Sequence, residues 1–168
     1  MSLQKIILHW TAGTYKPNPV DLRHYHFLVD EKGQIHKGKY KPEDNLYCSD
    51  GSYAAHVHLA NTGSIGIAFC GMHGYRNSLN VGWYPLSKVQ LEAGFKLVAT
   101  LCKKYNIPIT PQSICTHYEW GMAFPKSKNS GKIDLSFLPP YYEVEKHRTG
   151  YFIRQKIRWY YKKGVKHV

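Results

Sequence analysis

The strongest constraint on the fold is one segment that is apolar on both of its alternating faces. Residues 64–70 read SIGIAFC, with no charged side chain and no alternation of polar and apolar positions. A strand of this kind needs cover on both sides, because water would otherwise meet apolar side chains on each face. The segment therefore predicts a central strand in a sheet covered by further layers.

Local patterns predict the other elements. Short apolar runs indicate three more strands, over residues 5–10, 24–29 and 113–117. Glu31-Lys32-Gly33 is a turn signal that joins the second of these to residues 34–37 as a hairpin. A helix is predicted from Pro85 to Asn106, where Ser87 and Gln90 fit a capping box. Loops are predicted for the segments 14–22, 38–53, 71–84 and 118–136. Together the elements indicate an α/β or α+β single domain with a helix-covered sheet.

The net charge of +12 is unevenly distributed. Half of the net charge lies in residues 141–168, and Pro139-Pro140 marks a boundary before that segment. We therefore predict a body over 1–140 and a basic aromatic tail over 141–168. Within the tail, a helix is predicted from Tyr151 to Lys163. Three interpretations of the tail remain open. In the first, the tail is a helix packed on the body with a solvated basic face. In the second, it is a surface that binds either an anionic wall polymer or a phospholipid membrane. In the third, it is a nucleic-acid-binding segment.

Composition also limits compartment and redox chemistry. The residues before the first strand do not form a signal peptide, and no apolar run is long enough to span a bilayer. We therefore expect synthesis in the cytoplasm. The four cysteines have no CxxC spacing, which favours free thiols over a disulfide framework.

Two histidines stand at positions where sites are commonly built. His9 and His117 each lie at the C-terminal end of an apolar strand, just before a loop. A buried imidazole needs a polar partner, and a metal ion is one such partner. Catalytic zinc takes three protein ligands, so a third is required. Asp134 and Cys115 are the candidates, and Asp134 is preferred because positions two apart in a strand, such as Cys115 and His117, seldom converge on one metal.

Five segments, taken in order, carry a family pattern. They are ILHWTA at 7–12, YHFLV at 25–29 followed by Gly33 and Gly38, Ala55-His56 leading through Asn61 to SIGI at 64–67, Thr116-His117, and Lys132-Ile133-Asp134. Over residues 5–138 the chain resembles the zinc-dependent N-acetylmuramoyl-L-alanine amidases. That family includes phage lysozyme-like amidases, muropeptide-recycling amidases and peptidoglycan-recognition proteins. The resemblance implies a central mixed β-sheet flanked by helices, and it does not reach the tail.

The resemblance also implies the chemistry and the residues. It implies a Zn²⁺ ion held by His9, His117 and Asp134, and cleavage of the amide between the lactyl group of N-acetylmuramic acid and L-alanine. Tyr25 would position the water and assist proton transfer, and Lys132 would stabilise the oxyanion. Substrate contacts are expected at His56, Trp10 and Trp120, while His26 is expected to be structural. Because no ligand is missing, an active enzyme is favoured over a protein that only binds peptidoglycan.

The biological role has several alternatives. We prefer a phage-type lytic enzyme, because a basic chain suits an anionic polymer. Such an enzyme acts on the cell wall after release by a separate permeabilising protein. A cytosolic amidase that recycles soluble anhydro-muropeptides would use the same chemistry. A non-catalytic peptidoglycan-binding module and a basic nucleic-acid-binding protein are the rivals from other classes, although no nucleic-acid-binding motif is present. We expect a monomer.

Overall fold

In the computed structural model, which describes residues 1–164, five strands form one mixed sheet. The strands are β1 (Lys5–Trp10), β2 (Phe27–Val29), β3 (Ile35–Lys37), β4 (Ser64–Phe69) and β5 (Ile114–Thr116). Their order across the sheet is β3-β2-β4-β1-β5, so the segment that is apolar on both faces is the central strand, as predicted. The pairs β2–β4, β4–β1 and β1–β5 are parallel, and only the β2–β3 hairpin is antiparallel. The predicted mixed sheet flanked by helices is confirmed.

Four α-helices accompany the sheet. They are α1 (Pro19–His24), α2 (Lys88–Tyr105), α3 (His117–Ala123) and α4 (Thr149–Lys163), with short 3₁₀ turns at Pro42–Leu46, Pro139–Tyr141 and Lys146–Arg148. The helix α2 begins after Ser87, whose side chain accepts a hydrogen bond from the Gln90 backbone N–H, and the predicted capping box is present. No helix within residues 1–164 combines the length and apolarity needed to cross a membrane.

The two faces of the sheet are packed unequally. Ile6, Leu8 and Trp10 of β1 join the main core with α2 and α4, because alternate residues of a strand point to the same face. The opposite face carries Ile7 and His9 and only two small apolar clusters. The thick helical layer therefore lies on one face, and the other face is left for polar groups at its edge.

The predicted tail contributes a helix to the main core. Ile153 and Ile157 of α4 are almost fully buried in the cluster that also contains residues of α2 and the sheet. Arg154 is 6% exposed and forms a two-pronged ion pair with Glu119 of α3, with both nitrogen–oxygen distances at 3.0 Å. These contacts match the first interpretation of the tail, a helix packed on the body. Residues 165–168 of the predicted tail lie outside the described residues.

Two predicted loops contain helices. Residues 14–22 include most of α1, whose N-cap Asn18 forms a capping box with Asp21. Because α1 extends to His24, the strand predicted over residues 24–29 starts only at Phe27. The predicted loop over 118–136 includes most of α3, which is capped by Thr116 and Glu119. In both places short polar caps begin a helix of about two turns, too short to show an apolar periodicity in the sequence.

Candidate active site

Two neighbouring parallel strands bring the two histidines together. Leu8 of β1 is paired with Thr116 of β5, so the residues that follow them, His9 near the end of β1 and His117 at the start of α3, lie side by side at the same edge of the sheet. Thr116 both ends β5 and caps α3, and no loop separates the strand from the helix that His117 begins. Both side chains are buried, with exposed fractions of 0% for His9 and 6% for His117.

Asp134 completes a compact triangle of ligand atoms. The Nδ1 atoms of His9 and His117 are 3.0 Å apart, and the Asp134 Oδ2 atom lies 3.1 Å from the first and 3.4 Å from the second. Ligand atoms about 2.0–2.1 Å from a tetrahedral zinc ion are separated by roughly 3.3 Å. The three separations therefore fit a single zinc ion.

The tautomer of His117 is fixed by Asn129. The Asn129 side chain is oriented by the backbone of His58, because its Nδ2 donates to the His58 carbonyl and its Oδ1 accepts from the His58 N–H. The same Oδ1 lies 3.0 Å from His117 Nε2, so His117 must donate from Nε2. Its Nδ1 is then an unprotonated lone pair directed at His9 and Asp134.

His56 provides the matching partner for His9. The His9 Nε2 atom lies 3.0 Å from His56 Nδ1, and in the tautomer that binds a metal it donates its proton there. The His56 ring fits because residue 66 of β4 is glycine: a Cβ at this position would lie 2.4 Å from His56 Cγ. Two imidazole lone pairs and a carboxylate then converge on one point, an arrangement that is repulsive unless a cation lies between them.

The charge states of these groups agree with a cation site. Burial lowers the pKa of His9 to about 4, so the ring is neutral at pH 7 and can act as a ligand. Burial alone would raise the pKa of Asp134, but the contacts of its carboxylate with the adjacent His117 and His9 imidazoles outweigh burial and hold that pKa well below its usual range. Asp134 is followed by Leu135, a fully buried residue with a left-handed φ of 62°, a conformation that costs energy in a residue other than glycine.

Cys115, the competing third ligand, lies elsewhere. Its side chain is buried against Ile7 and Val57 in a small apolar cluster, and burial raises the pKa of its thiol to about 12. Among the described residues, the group of at least three candidate ligands within 4.8 Å of one another consists of His9, His117 and Asp134. The arrangement therefore favours Asp134 over Cys115.

Tyr25 lies beside the metal ligands. Its ring centroid is 5.1 Å from that of His9, and burial together with the negative charge of Asp134 raises the pKa of its hydroxyl. The phenol is therefore a protonated hydrogen-bond donor at neutral pH and is not a base. Its backbone is held by a close approach of the chain at Gly38, where a Cβ would lie 1.9 Å from the Tyr25 carbonyl oxygen.

A cavity of about 710 Å³ opens beside the triangle. The polar or basic residues on its wall include His56, His58, His117, Lys128, Asn129 and Lys132. Lys132 is exposed, and its positive charge contributes to the lowered pKa of His9, which indicates that it lies close to the ligands. The cavity therefore joins the candidate metal ligands to a positively charged wall.

A family profile described as N-acetylmuramoyl-L-alanine amidase matches residues 1–134, four fifths of the chain. The chain belongs to this amidase family. A comparison with curated proteins gave no match.

Solved structures support the amidase fold. The chain resembles PlyL at 22% identity, with 94% of this chain and 84% of PlyL covered and a TM-score of 0.53. It also resembles the ectodomain complex of the peptidoglycan recognition proteins LCa and LCx bound to tracheal cytotoxin, at 17% identity, coverage of 86% and 81%, and a TM-score of 0.53. The Ph2119 endolysin from a Thermus scotoductus bacteriophage matches at 21% identity, coverage of 79% and 87%, and a TM-score of 0.48.

Two predicted substrate contacts of the amidase lie away from its cavity wall. Trp10 is 4% exposed and packs on Tyr75 in the main core, on the sheet face opposite His9. Trp120 lies on α3, where it packs on Phe124 and the Lys5 ammonium lies 5.8 Å from its ring. By contrast, Tyr25, His56 and Lys132 lie beside the candidate metal ligands. His26 is buried between Asn45 and Gly66, as expected of a structural residue.

Sequence reasoning missed Asn129, the residue that orients His117. Asn129 stands in a polar segment whose composition is that of a surface loop, yet it is 1% exposed. Its partners His58 and His117 are 71 and 12 residues away along the chain. No local pattern marks such a residue, because its role comes only from the folded loop.

Proposed function

We propose that this chain is a zinc-dependent amidase that hydrolyses the bond between the lactyl group of N-acetylmuramic acid and L-alanine in peptidoglycan. The observation that carries the proposal is the convergence of His9 Nδ1, His117 Nδ1 and Asp134 Oδ2, with the two tautomers set by Asn129 and His56. Three ligands that leave a position open are typical of catalytic zinc, whereas structural sites have four protein ligands.

Zinc, when bound, supplies polarisation of the scissile carbonyl and a lower pKa for a bound water. The chain's own residues supply the rest. His9 and His117 would present their Nδ1 lone pairs to the ion, because their other nitrogens donate to His56 and Asn129. Asp134 adds one negative charge, which keeps part of the ion's positive charge available to polarise the substrate.

Tyr25 and Lys132 have complementary roles in this proposal. The protonated Tyr25 hydroxyl donates a hydrogen bond that orients the attacking water or the leaving group, and it does not remove a proton by itself. Lys132 carries a positive charge on the cavity wall, where it stabilises the negative charge that develops on the carbonyl oxygen. The new bond joins the water oxygen to the carbonyl carbon, the carbon–nitrogen bond breaks, and the proton passes to the amine of L-alanine.

The experiment that tests this proposal is digestion of purified sacculi, with and without a chelator, followed by mass spectrometry. The expected result is release of free stem peptides that stops on chelation and returns on addition of zinc. His9→Ala, His117→Ala and Asp134→Ala should each lose zinc and activity together, while His73→Ala, at an exposed histidine outside the ligand triangle, should retain both. A His9→Ala protein that retains stoichiometric zinc would refute the ligand set, and binding without release would indicate a non-catalytic module.

We propose further that the enzyme is lytic and acts on the intact wall. The support is the positive charge of the chain, which suits an anionic polymer better than small soluble fragments. On this proposal the protein is made in the cytoplasm and reaches the wall through a separate permeabilising protein. Comparing kcat/KM on intact sacculi with that on soluble anhydro-muropeptides tests the role, since a strong preference for the soluble fragments would favour recycling.

A further inference from the structure

The basic side chains of α4 divide into two groups with different surroundings. Arg154 is paired with Glu119, and the Lys156 ammonium lies 2.6 Å from Glu92. These two charges hold α4 on the body. The second group lies at the C-terminal end of the helix, and the sequence contains no acidic residue after Glu145 to balance it.

The second group, with Lys103 of α2 and the neighbouring aromatic rings, forms a continuous surface, here called the α4 patch. Its members are Lys103, Arg158, Trp159, Tyr161, Lys162 and Lys163. Within residues 1–164, none of its four cations forms an ion pair. Trp159 is 50% exposed with the Lys163 ammonium 4.0 Å from its ring, and Tyr161 is 40% exposed with Lys103 at 4.9 Å. Positions three and four apart on a helix are neighbours, so Arg158 and Lys162 extend the same surface.

The α4 patch is remote from the candidate active site. The buried side of α4 packs through Ile153 and Ile157 on the same core as Ile6 and Leu8, whereas His9 is on the opposite face of β1. A molecule bound at the patch would therefore leave the cavity beside His117 free.

The composition of the α4 patch favours a polyanionic chain over a membrane. A helix that lies in a bilayer interface inserts its apolar side, but Ile153 and Ile157 are already buried against the body. What remains exposed is the three ammonium groups of Lys103, Lys162 and Lys163, interleaved with aromatic rings, while the half-buried Arg158 guanidinium donates to the Ile109 carbonyl at 2.8 Å. Ammonium and guanidinium groups bind phosphate oxygens, and aromatic faces provide contact area for sugar or polyol units between them.

We propose that the α4 patch binds a phosphate-bearing polymer of the cell wall and holds the enzyme on the wall while the opposite sheet face carries out hydrolysis. The choice of a wall polymer rests on the proposed function. The polymer would be recognised through its repeated phosphodiester charges, so its affinity should fall steeply as salt is added.

The test is a pull-down of the full chain on Gram-positive walls before and after hydrofluoric acid, which removes phosphodiester-linked polymers and leaves the peptidoglycan. Chelator is present throughout, so that binding is measured without hydrolysis. The variant carries Lys103→Gln, Lys162→Gln and Lys163→Gln, and the matched control carries Lys32→Gln, Lys37→Gln and Lys39→Gln, three exposed lysines around the β2–β3 hairpin. Phosphatidylglycerol vesicles and a short DNA duplex serve as the competing ligands.

Wild type and the control variant should bind untreated walls, and the patch variant should bind about tenfold more weakly, as expected for three exposed charge contacts. Acid treatment should remove this difference. Equal loss in both variants, a difference between the variants that survives acid treatment, or tighter binding to vesicles or DNA at equal phosphate concentration would each overturn the proposal. Hydrolysis of a soluble muropeptide is measured separately: its absence would refute the proposed function, whereas activity without polymer binding would refute only this inference.

Discussion

Arg154→Met is the substitution that most directly tests whether the tail helix is part of the folded domain. Methionine keeps most of the aliphatic length of arginine but removes the guanidinium group. Three hydrogen bonds are lost, each 3.0 Å long. The Nη1 and Nη2 atoms donate to the two carboxylate oxygens of Glu119, and Nη1 also donates to the carbonyl oxygen of Ile114. The change therefore removes these polar contacts of α4 with both α3 and β5 without leaving a large cavity.

The expected loss follows from the burial of the two partners. Breaking a buried ion pair by removing one member costs about 3–5 kcal/mol, because the other charge remains without a partner. The Arg154 side chain is 7% exposed, but that of Glu119 is 27% exposed and can be partly hydrated after the change. We therefore expect a loss of about 3 kcal/mol, at the lower end of that range. This is a large share of the roughly 5–15 kcal/mol that stabilises a typical domain.

The assay is urea unfolding at pH 7, followed by far-ultraviolet circular dichroism. Arg148→Met is the matched control, because Arg148 is exposed at the start of the same helix, and its loss should stay within about 0.5 kcal/mol. In a double-mutant cycle with Glu119→Gln, the combined loss should be smaller than the sum of the single losses. An Arg154→Met loss below about 1 kcal/mol would refute the argument that this pair holds α4 on the body.

Three further predictions concern the candidate site and its support. Gly66→Ala puts a Cβ 2.4 Å from His56 Cγ and should weaken zinc binding about 10–100-fold in a competition titration, since the partner of His9 is displaced; unchanged affinity would contradict this role for His56. Burial lowers the pKa of His26 to about 4, whereas in the unfolded chain the ring binds a proton below about pH 6.5. The folded state is therefore not penalised by this residue above about pH 6.5 and loses stability as the pH falls towards 4. In metal-free protein the unfolding free energy should drop by about 3 kcal/mol over that range through this residue, and a His26→Gln profile as steep as that of the wild type would disprove it. Lys132→Ala should lower kcat about 10²-fold or more with zinc still bound; unchanged turnover would remove its proposed role.

The framework of the fold could be predicted from the sequence because its main signals are local. Seven residues without charge marked β4 as the central strand, and the Ser87–Gln90 capping box marked the start of α2. The short helices α1 and α3 were missed although each has a capping box, at Asn18 and at Thr116. Helices of six and seven residues contain too few turns for an apolar period to appear.

The candidate site was predictable where strands or the family resemblance placed its residues. His9 and His117 could be paired because both lie at the C-terminal ends of buried strands, and Asp134 was preferred as the third ligand before the resemblance supported it. The resemblance supplied the roles of Tyr25 and Lys132. The contacts of Asn129 depend on where a long loop returns to the sheet, which no spacing in the sequence reveals. Trp10 was expected to contact the substrate as an aromatic side chain that stacks on sugar or peptide, but alternation along β1 turns it to the face opposite His9 and into the core.

The junction between β5 and α3 determines how the metal site assembles. Because Thr116 is at once the last residue of the strand and the cap of the helix, His117 directly follows the last paired residue of β5, while His9 lies within the β1–β4 ladder, and only Asp134 is carried by a loop. Two of the three proposed protein ligands are therefore in place as soon as the sheet and the start of α3 have formed. A zinc finger, by contrast, is unfolded without its ion. If the proposed function holds, zinc should load and leave while this domain stays folded.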